Sequence, residues 1–160
     1  MDNRYDFVML FDVENGNPNG DPDAGNSPRV DAETGFGYIT DVCLKRKIRN
    51  YAELAKEGEA GYQILVKPDK ALNTKFKEAY EAENLETKQK GKKPDDVKKA
   101  REYMCRNYFD VRAFGAVMST GDDPCGIVRG PVQINFARSL SPVTVDDVTK
   151  AGPFPSEPAG

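Results

Sequence analysis

Residues 5–26 read YDFVMLFDVENGNPNGDPDAGN, in which an apolar run passes directly into a loop of Asn, Gly, Asp and Pro. Apolar side chains occupy both sides of residues 4–13, which predicts a central β-strand covered on both faces. Gly and Asn adopt positive φ at low cost and Pro fixes φ, so a long structured loop should follow the strand. Such a loop exposes backbone N–H groups to a ligand. The stretch therefore predicts a binding loop attached to a sheet.

The rest of the chain predicts an α+β fold. A helix is expected from Thr40 or Asp41 to about Lys56, and Gly58 and Gly61 should end it. Its predicted apolar stripe contains Leu44, Ile48, Tyr51, Ala52 and Ala55. Further elements are predicted as a strand at 62–66, two charged helices within 69–108 with Asp95 capping the second, a helix or turn at 110–118 and a strand at 131–137. This order suits a sheet with a helical insertion.

The composition excludes several classes of protein. A chain of 160 residues can form a domain with a real core, and no apolar run approaches the roughly 20 residues that span a bilayer, so we expect no membrane partner. Its three cysteines are odd in number and widely spaced, which favours reduced thiols in a cytoplasmic protein over disulfides or a zinc site. The absence of histidine removes the commonest general base. We therefore predict no catalytic residue, no metal site and no cofactor.

A cationic cluster lies on the first predicted helix. The net charge of −3 argues against general affinity for nucleic acid, but phosphate binding needs only a local positive surface. Lys45, Arg46 and Arg49 fall on one arc of this helix, away from the predicted Leu44 and Ile48 stripe. Three such cations can bind consecutive phosphates. The alternative interpretation is that they only keep this helix face in water, which is the usual role of surface charge.

The Asn/Gly loop superficially resembles a calcium-binding loop. An EF-hand requires Asp at its first position and Glu at its twelfth, where this chain has Asn15 and Asn26. We therefore expect no calcium site. Three aspartates could still gather a metal or simply form local hydrogen bonds: Asp21, Asp23 and Asp31.

Other polar residues are candidates for contact with an anion. Arg129 directly precedes Gly130-Pro131 at the start of a predicted strand, where a guanidinium can bind phosphate. Arg112 is a weaker candidate because it could instead pair with Asp110 or Glu102. The remaining candidates are Ser119 and Thr120, which also suit an ordinary turn. The lysine-rich residues 88–93 are interpreted as a solvated loop between helices.

Five blocks of sequence resemble the CRISPR-associated backbone subunit of the type I-C Cascade complex, a member of the RAMP superfamily. The blocks lie in the family's order at residues 4–13, 15–26, 40–50 (TDVCLKRKIRN), 110–118 (DVRAFGAVM) and 125–133 (CGIVRGPVQ). The resemblance implies an RRM-like (ferredoxin-like) palm over residues 1–143 with a charged helical insert at about 67–110. It also implies copies that polymerise along a guide RNA.

The resemblance identifies the expected anion as guide RNA (crRNA). The predicted RNA contacts are Lys45, Arg46, Arg49, Arg112, Ser119, Thr120 and Arg129, with backbone or amide groups of Asn15, Gly16, Asn17, Asn19 and Gly20. Phe36 and Tyr38 are the aromatic residues most suited to base stacking. The implied partners are crRNA, a target DNA strand read through the guide, copies of the same subunit and other Cascade subunits. The implied function is non-catalytic.

The family pattern ends near Val143, and residues 144–160 form a Pro/Gly-rich tail, which predicts a truncated chain with an incomplete palm. Truncation leaves open a decoy that inhibits assembly of the defence complex. An unrelated alternative is a small metal- or nucleotide-binding enzyme that uses the Asp/Asn loop.

Overall fold

A computed structural model describes residues 3–87 and 93–146 of the chain. Helices and strands both occur, which confirms the predicted α+β class. The helices are α1 (Asp41–Ala55), α2 (Leu72–Ala82), α3 (Pro94–Asn107) and α4 (Phe109–Phe114), with a short 3-10 helix at Pro22–Ala24. The strands are β1 (Gly20–Asp21), β2 (Ser27–Pro28), β3 (Phe36–Ile39), β4 (Gly115–Met118), β5 (Gly126–Arg129) and β6 (Ala137–Pro142). The chain divides into two compact units, residues 1–40 with 136–160 and residues 41–135.

The first unit contains two small antiparallel sheets. β1 pairs with β2, and β3 pairs with β6 so that Tyr38 lies opposite Arg138. The register is interrupted between Phe36 and Tyr38, where the Gly37 N–H donates to the Ser139 hydroxyl at 3.0 Å. The long sequence separation of β3 and β6 explains why their pairing could not be read from local pattern.

The predicted strand at residues 4–13 is wrong. These residues lie outside every helix and strand, and their apolar side chains are exposed, with Val8 at 87% and Leu10 at 79%. Alternating apolar residues favour an extended chain, but a strand also requires a hydrogen-bonding neighbour. No described segment supplies one.

Helix α1 confirms the predicted helix and opens the second unit. Leu44 and Ala52 are buried, as the predicted stripe requires. Tyr51 and Ala55 are exposed instead, so the stripe is narrower than expected. The glycines that follow the helix, Gly58 and Gly61, have positive φ, which stops helical propagation at little cost.

The core of the second unit lies between α2, α3, α4 and β4. Its fully buried side chains include Phe76, Tyr80, Met104, Val111 and Met118. The predicted charged helices within 69–108 correspond to α2 and α3. The predicted cap at Asp95 is wrong because α3 begins at Pro94, whose fixed φ and missing N–H suit the first helical position.

The predictions for residues 110–118 and 131–137 are partly wrong. α4 ends at Phe114 and the chain continues as β4, which pairs with β5 in an antiparallel hairpin. The end of the hairpin away from its turn is closely packed, because Gly130 lies against the backbone of Phe114 and Gly115, where an added Cβ would come within 2.2 Å of the nearest atom. The following strand begins only at Ala137, and residues 131–136 lack regular structure.

The predicted strand at 62–66 is wrong as well. Only Gln63 forms a bridge, to Tyr108, although Ile64 and Leu65 are buried. Side chains supply the hydrogen bonds that a neighbouring strand would have given, through Asp110 and Lys75. The lysine-rich residues 88–92 and residues 147–160 of the predicted tail lie outside the described residues.

Candidate nucleic-acid interface

The predicted cationic cluster on α1 is divided by burial. Lys45 is half-buried and its Nζ lies 3.0 Å from Asp41 Oδ2, one helical turn earlier. That hydrogen bond lowers the pKa of Asp41. Arg49 is only 12% exposed and its Nε donates to Asp110 Oδ2 at 2.9 Å. Both cations also lie over the ring of Phe114, at 5.9 and 5.2 Å from its centroid, so both are engaged inside the second unit.

Arg49 belongs to a buried polar network. Asp110, 1% exposed, accepts the Leu65 N–H at 2.8 Å and the Val66 N–H at 3.0 Å in addition to the Arg49 guanidinium. The carboxylate is thereby hydrogen-bonded and paired, which is the condition for burying a charge at acceptable cost. The network fixes the loop after α1 against α4. Local sequence pattern gives no sign of this network, because its partners are 44 to 61 residues apart.

Lys75 completes the attachment of this loop from α2. Its buried Nζ donates to the carbonyls of Ile64 and Leu65 at 3.2 and 2.9 Å and pairs with Asp69 at 2.8 Å. The hydrogen bond from Lys75 lowers the pKa of Asp69. Lys75 is therefore a structural cation, and no phosphate can reach it without opening the core.

Arg46 differs from its neighbours in being exposed. Its Nε donates to Asn50 Oδ1 at 3.2 Å, one turn further along α1. A neutral amide partner leaves the positive charge of the guanidinium uncompensated at the surface. Of the three predicted residues, Arg46 is the most exposed to solvent.

Arg112 is used within the fold. Its Nη1 donates to the carbonyls of Cys105 at 2.7 Å and Arg106 at 3.0 Å, and its Nη2 donates to the Gly61 carbonyl. The alternative in which Arg112 pairs with Asp110 or Glu102 is wrong, because its guanidinium binds carbonyls at the C-terminal end of α3. Cations stabilise a helix at this end.

Arg129, Ser119 and Thr120 are exposed in or beside the β4–β5 hairpin. Arg129 lies opposite Gly115, and Ser119 and Thr120 follow β4 directly. Arg129 is thus available to an external anion. The structure gives the two hydroxyl residues no arrangement beyond that of a turn.

The Asn/Gly loop is held together by its own amide side chains. Asn17 Nδ2 donates to the Asn26 carbonyl at 2.6 Å, and Asn17 Oδ1 accepts the Asn19 N–H at 3.2 Å. Asn19 Oδ1 accepts both the N–H and the hydroxyl of Thr40, at 2.9 and 3.1 Å. Gly20 packs so closely on Asn26 that an added Cβ would lie 1.9 Å from its Oδ1. Asn17 and Asn19 thus shape the loop.

The remaining predicted loop positions, Asn15 and Gly16, lie at the exposed start of this loop. Asn15 adopts a positive φ of 51°, a conformation that asparagine tolerates better than most residues. Exposed backbone at such a position can offer N–H groups to a phosphate or a sugar, and contact of these groups with RNA stays a prediction.

The loop aspartates support the interpretation as turn residues. Asp31 Oδ1 accepts the N–H groups of Glu33 and Thr34, both at 3.0 Å, and these bonds lower the pKa of Asp31. Asp21 accepts the Asp23 N–H and pairs with Arg29. Within residues 3–87 and 93–146, no group of three or more acidic, cysteine or histidine side chains is placed to hold a metal.

The predicted stacking residues lie in β3. The ring of Tyr38 stacks on that of Phe136, with centroids 6.3 Å apart and planes 5° from parallel. Phe136 is 56% exposed, whereas Tyr38 and Phe36 are half-buried. Base stacking on this pair stays a prediction.

The charge distribution favours the second unit as a nucleic-acid interface. Residues 41–135 carry 19 Lys and Arg against 15 Asp and Glu, whereas the other residues carry 4 against 11. One open groove in this unit, about 690 Å³ in volume, follows α1 and is lined by Glu53, Glu57 and Glu59. Glu53 and Glu59 are paired with Lys67 and Lys56, and Glu57 leaves the lining with a net negative charge, which disfavours phosphate. The exposed cations on α1 and β5 are thus better candidates than the groove for binding phosphate.

Comparison with known proteins identifies the family. Residues 3–158 match the sequence model of the family described as CRISPR-associated protein Cas7. The chain therefore belongs to the Cas7 family. It is 42% identical over 65 residues to the CRISPR-associated protein Cas7 of Haloferax volcanii, and this match covers 41% of the chain and 18% of that relative.

None of the helices in the described residues combines the length and apolar character needed to span a bilayer.

Proposed function

We propose that this chain is a non-catalytic, crRNA-binding backbone subunit of a type I-C CRISPR interference complex. The observation that carries the proposal is the family match, which extends over residues 3–158. The five type I-C-like blocks support the subtype. The absence of histidine from the whole sequence supports a role in binding over acid–base catalysis.

The proposed RNA contacts fall into two groups. Arg46 and Arg129 are exposed and would bind phosphates directly, together with the exposed loop start at Asn15 and Gly16. Lys45 and Arg49 would act indirectly: the Lys45–Asp41 pair stabilises the start of α1, and the Arg49–Asp110 pair holds α1 to α4. Phosphate contacts of this kind hold RNA without reading its sequence.

Such a subunit would present the guide for base pairing, and pairing would read the target DNA strand. Copies of the same subunit and other Cascade subunits are the further partners we propose, with an RRM-like palm as the common scaffold. The odd number and wide spacing of the three cysteines support the cytoplasmic setting that we propose. Neither an assembly inhibitor nor a small enzyme is favoured by the family match.

Salt-dependent RNA binding tests this proposal. Fluorescence anisotropy would measure the affinity of the full chain for a labelled, unstructured single-stranded RNA over a range of salt concentrations. Each phosphate contact adds about 0.7 to the slope of log affinity against log salt for single strands. Arg46→Gln should therefore weaken binding and lower the slope by about 0.7.

Lys98→Gln is the matched control, because Lys98 is an exposed cation on α3 that the proposal does not use. It should leave affinity and slope nearly unchanged. A wild-type chain with no measurable affinity for RNA at low salt would refute the proposal. Equal losses in both variants would refute the assignment of Arg46.

A further inference from the structure

The outer face of α1 carries an exposed aromatic residue beside cations. Tyr51 is 71% exposed although it lies in the middle of a helix, and Leu54, three residues further on, is 77% exposed. Lys47 and Arg46 are also exposed. A tyrosine so far out of the core contributes little to packing, so its exposure invites a binding explanation.

The helical geometry places these groups together. Lys47 and Tyr51 are four residues apart, so their Cβ atoms are about 5–6 Å from each other on one face. Arg46 lies on the adjacent face, where it donates to Asn50. Within the described residues, neither Lys47 nor Tyr51 takes part in an ion pair, a side-chain hydrogen bond or a ring contact. Both groups are therefore available to an external ligand.

No acidic side chain of α1 cancels this positive surface. Its two carboxylates, Asp41 and Glu53, are paired with Lys45 and Lys67 respectively. An aromatic ring flanked by uncompensated cations is the arrangement by which proteins hold single-stranded nucleic acid, since a base stacks on the ring and its phosphate meets the cation.

We propose that Tyr51 stacks against a base of single-stranded RNA while Lys47 binds the adjacent phosphate, with Arg46 holding a neighbouring phosphate. This inference rests on the proposed function and adds Lys47 and Tyr51 to its site. It extends the RNA contact of α1 from Arg46 to the adjoining exposed residues of the same helix.

Base stacking by Tyr51 and phosphate binding by Lys47 can be distinguished experimentally. Tyr51→Ala should weaken binding of an unstructured single-stranded RNA about fivefold or more while leaving the salt slope unchanged, because stacking releases no counterion. Tyr51→Phe should bind within about twofold of wild type, because the stacking ring remains. Lys47→Gln should lower the slope by about 0.7. Leu140→Ala, at an exposed position on β6 outside the proposed site, is the matched control and should bind as wild type.

Each outcome decides the inference. A wild-type chain that does not bind RNA overturns the proposed function itself. A wild-type chain that binds while Tyr51→Ala binds equally well overturns the inference alone. Unchanged RNA affinity with loss of self-association in Tyr51→Ala, measured by light scattering, would make this face a protein interface and also overturn it. Thermal melting of each variant excludes unfolding as the cause of a loss.

Discussion

Removal of the Asp110 carboxylate should be among the most destabilising single changes in the second unit. The side chain is 1% exposed and accepts three hydrogen bonds, from two backbone N–H groups and from Arg49. Asp110→Ala would leave Arg49, 12% exposed, without its anionic partner and would leave the N–H groups of Leu65 and Val66 unpaired. Breaking a buried ion pair typically costs about 3–5 kcal/mol.

That cost is a large share of the roughly 5–15 kcal/mol by which a domain is stable. Asp110→Asn keeps one oxygen acceptor, so it should lower the free energy of unfolding by less, about 1–3 kcal/mol. The free energy of unfolding would be measured by urea titration with circular dichroism at a helix-sensitive wavelength. Because Arg49 and Asp110 share one network, a double variant that removes both charges should cost less than the sum of its single variants.

Glu81→Ala provides the control, because Glu81 is half-exposed in an ion pair with Lys77 on the surface of α2. Surface pairs contribute about 0–1 kcal/mol, so this variant should unfold close to wild type. If Asp110→Ala stayed within about 1 kcal/mol of wild type, the buried network would not carry the stability assigned to it here.

Two further predictions concern the core of the second unit. Lys75→Met should lower the free energy of unfolding by about 1–3 kcal/mol, because two buried carbonyls lose their donor; urea titration measures it. Alkaline pH should also destabilise the fold, because burial raises the pKa of Cys125, Tyr80 and Tyr108 to about 12. Between about pH 9 and 12 the unfolded chain has released protons that the folded chain retains, so the unfolding free energy falls as pH rises; melting temperatures across this range measure it.

Each of these two predictions has a control variant. Lys77→Met makes the same substitution two residues along α2 in an exposed ion pair, and it should cost under about 1 kcal/mol. An equal loss in both lysine variants would contradict the role of Lys75. For pH, Cys125→Ala should reduce the alkaline loss of stability, and an unchanged profile in that variant would contradict the contribution of its buried thiol.

Local pattern was sufficient to predict that α1, α2 and α3 are helices. α1 begins at Asp41 as expected because its apolar residues recur with helical period, and Gly58 ends the segment by a local conformational preference.

Strands and side-chain roles depended on distant residues, and prediction was poorer there. Residues 4–13 have a strand-like pattern, yet no described segment pairs with them. Residues 62–66 are held by Asp110 and Lys75, partners that no local window contains. For the same reason the sequence grouped Lys45, Arg46 and Arg49 as one cationic surface, although Arg49 is paired with Asp110 inside the fold. Only the fold distinguishes a cation bound within the protein from one exposed to solvent.

Purification from cells that express a guide RNA tests the central claim most directly, namely that the exposed face of α1 binds RNA. The measurement is the ratio of absorbance at 260 and 280 nm across the size-exclusion peak. Wild type and the charge-matched control Lys98→Glu/Lys99→Glu should elute with RNA, whereas Arg46→Glu/Lys47→Glu should elute without it. An RNA-free wild type, or RNA retained in the α1 variant, would contradict the account.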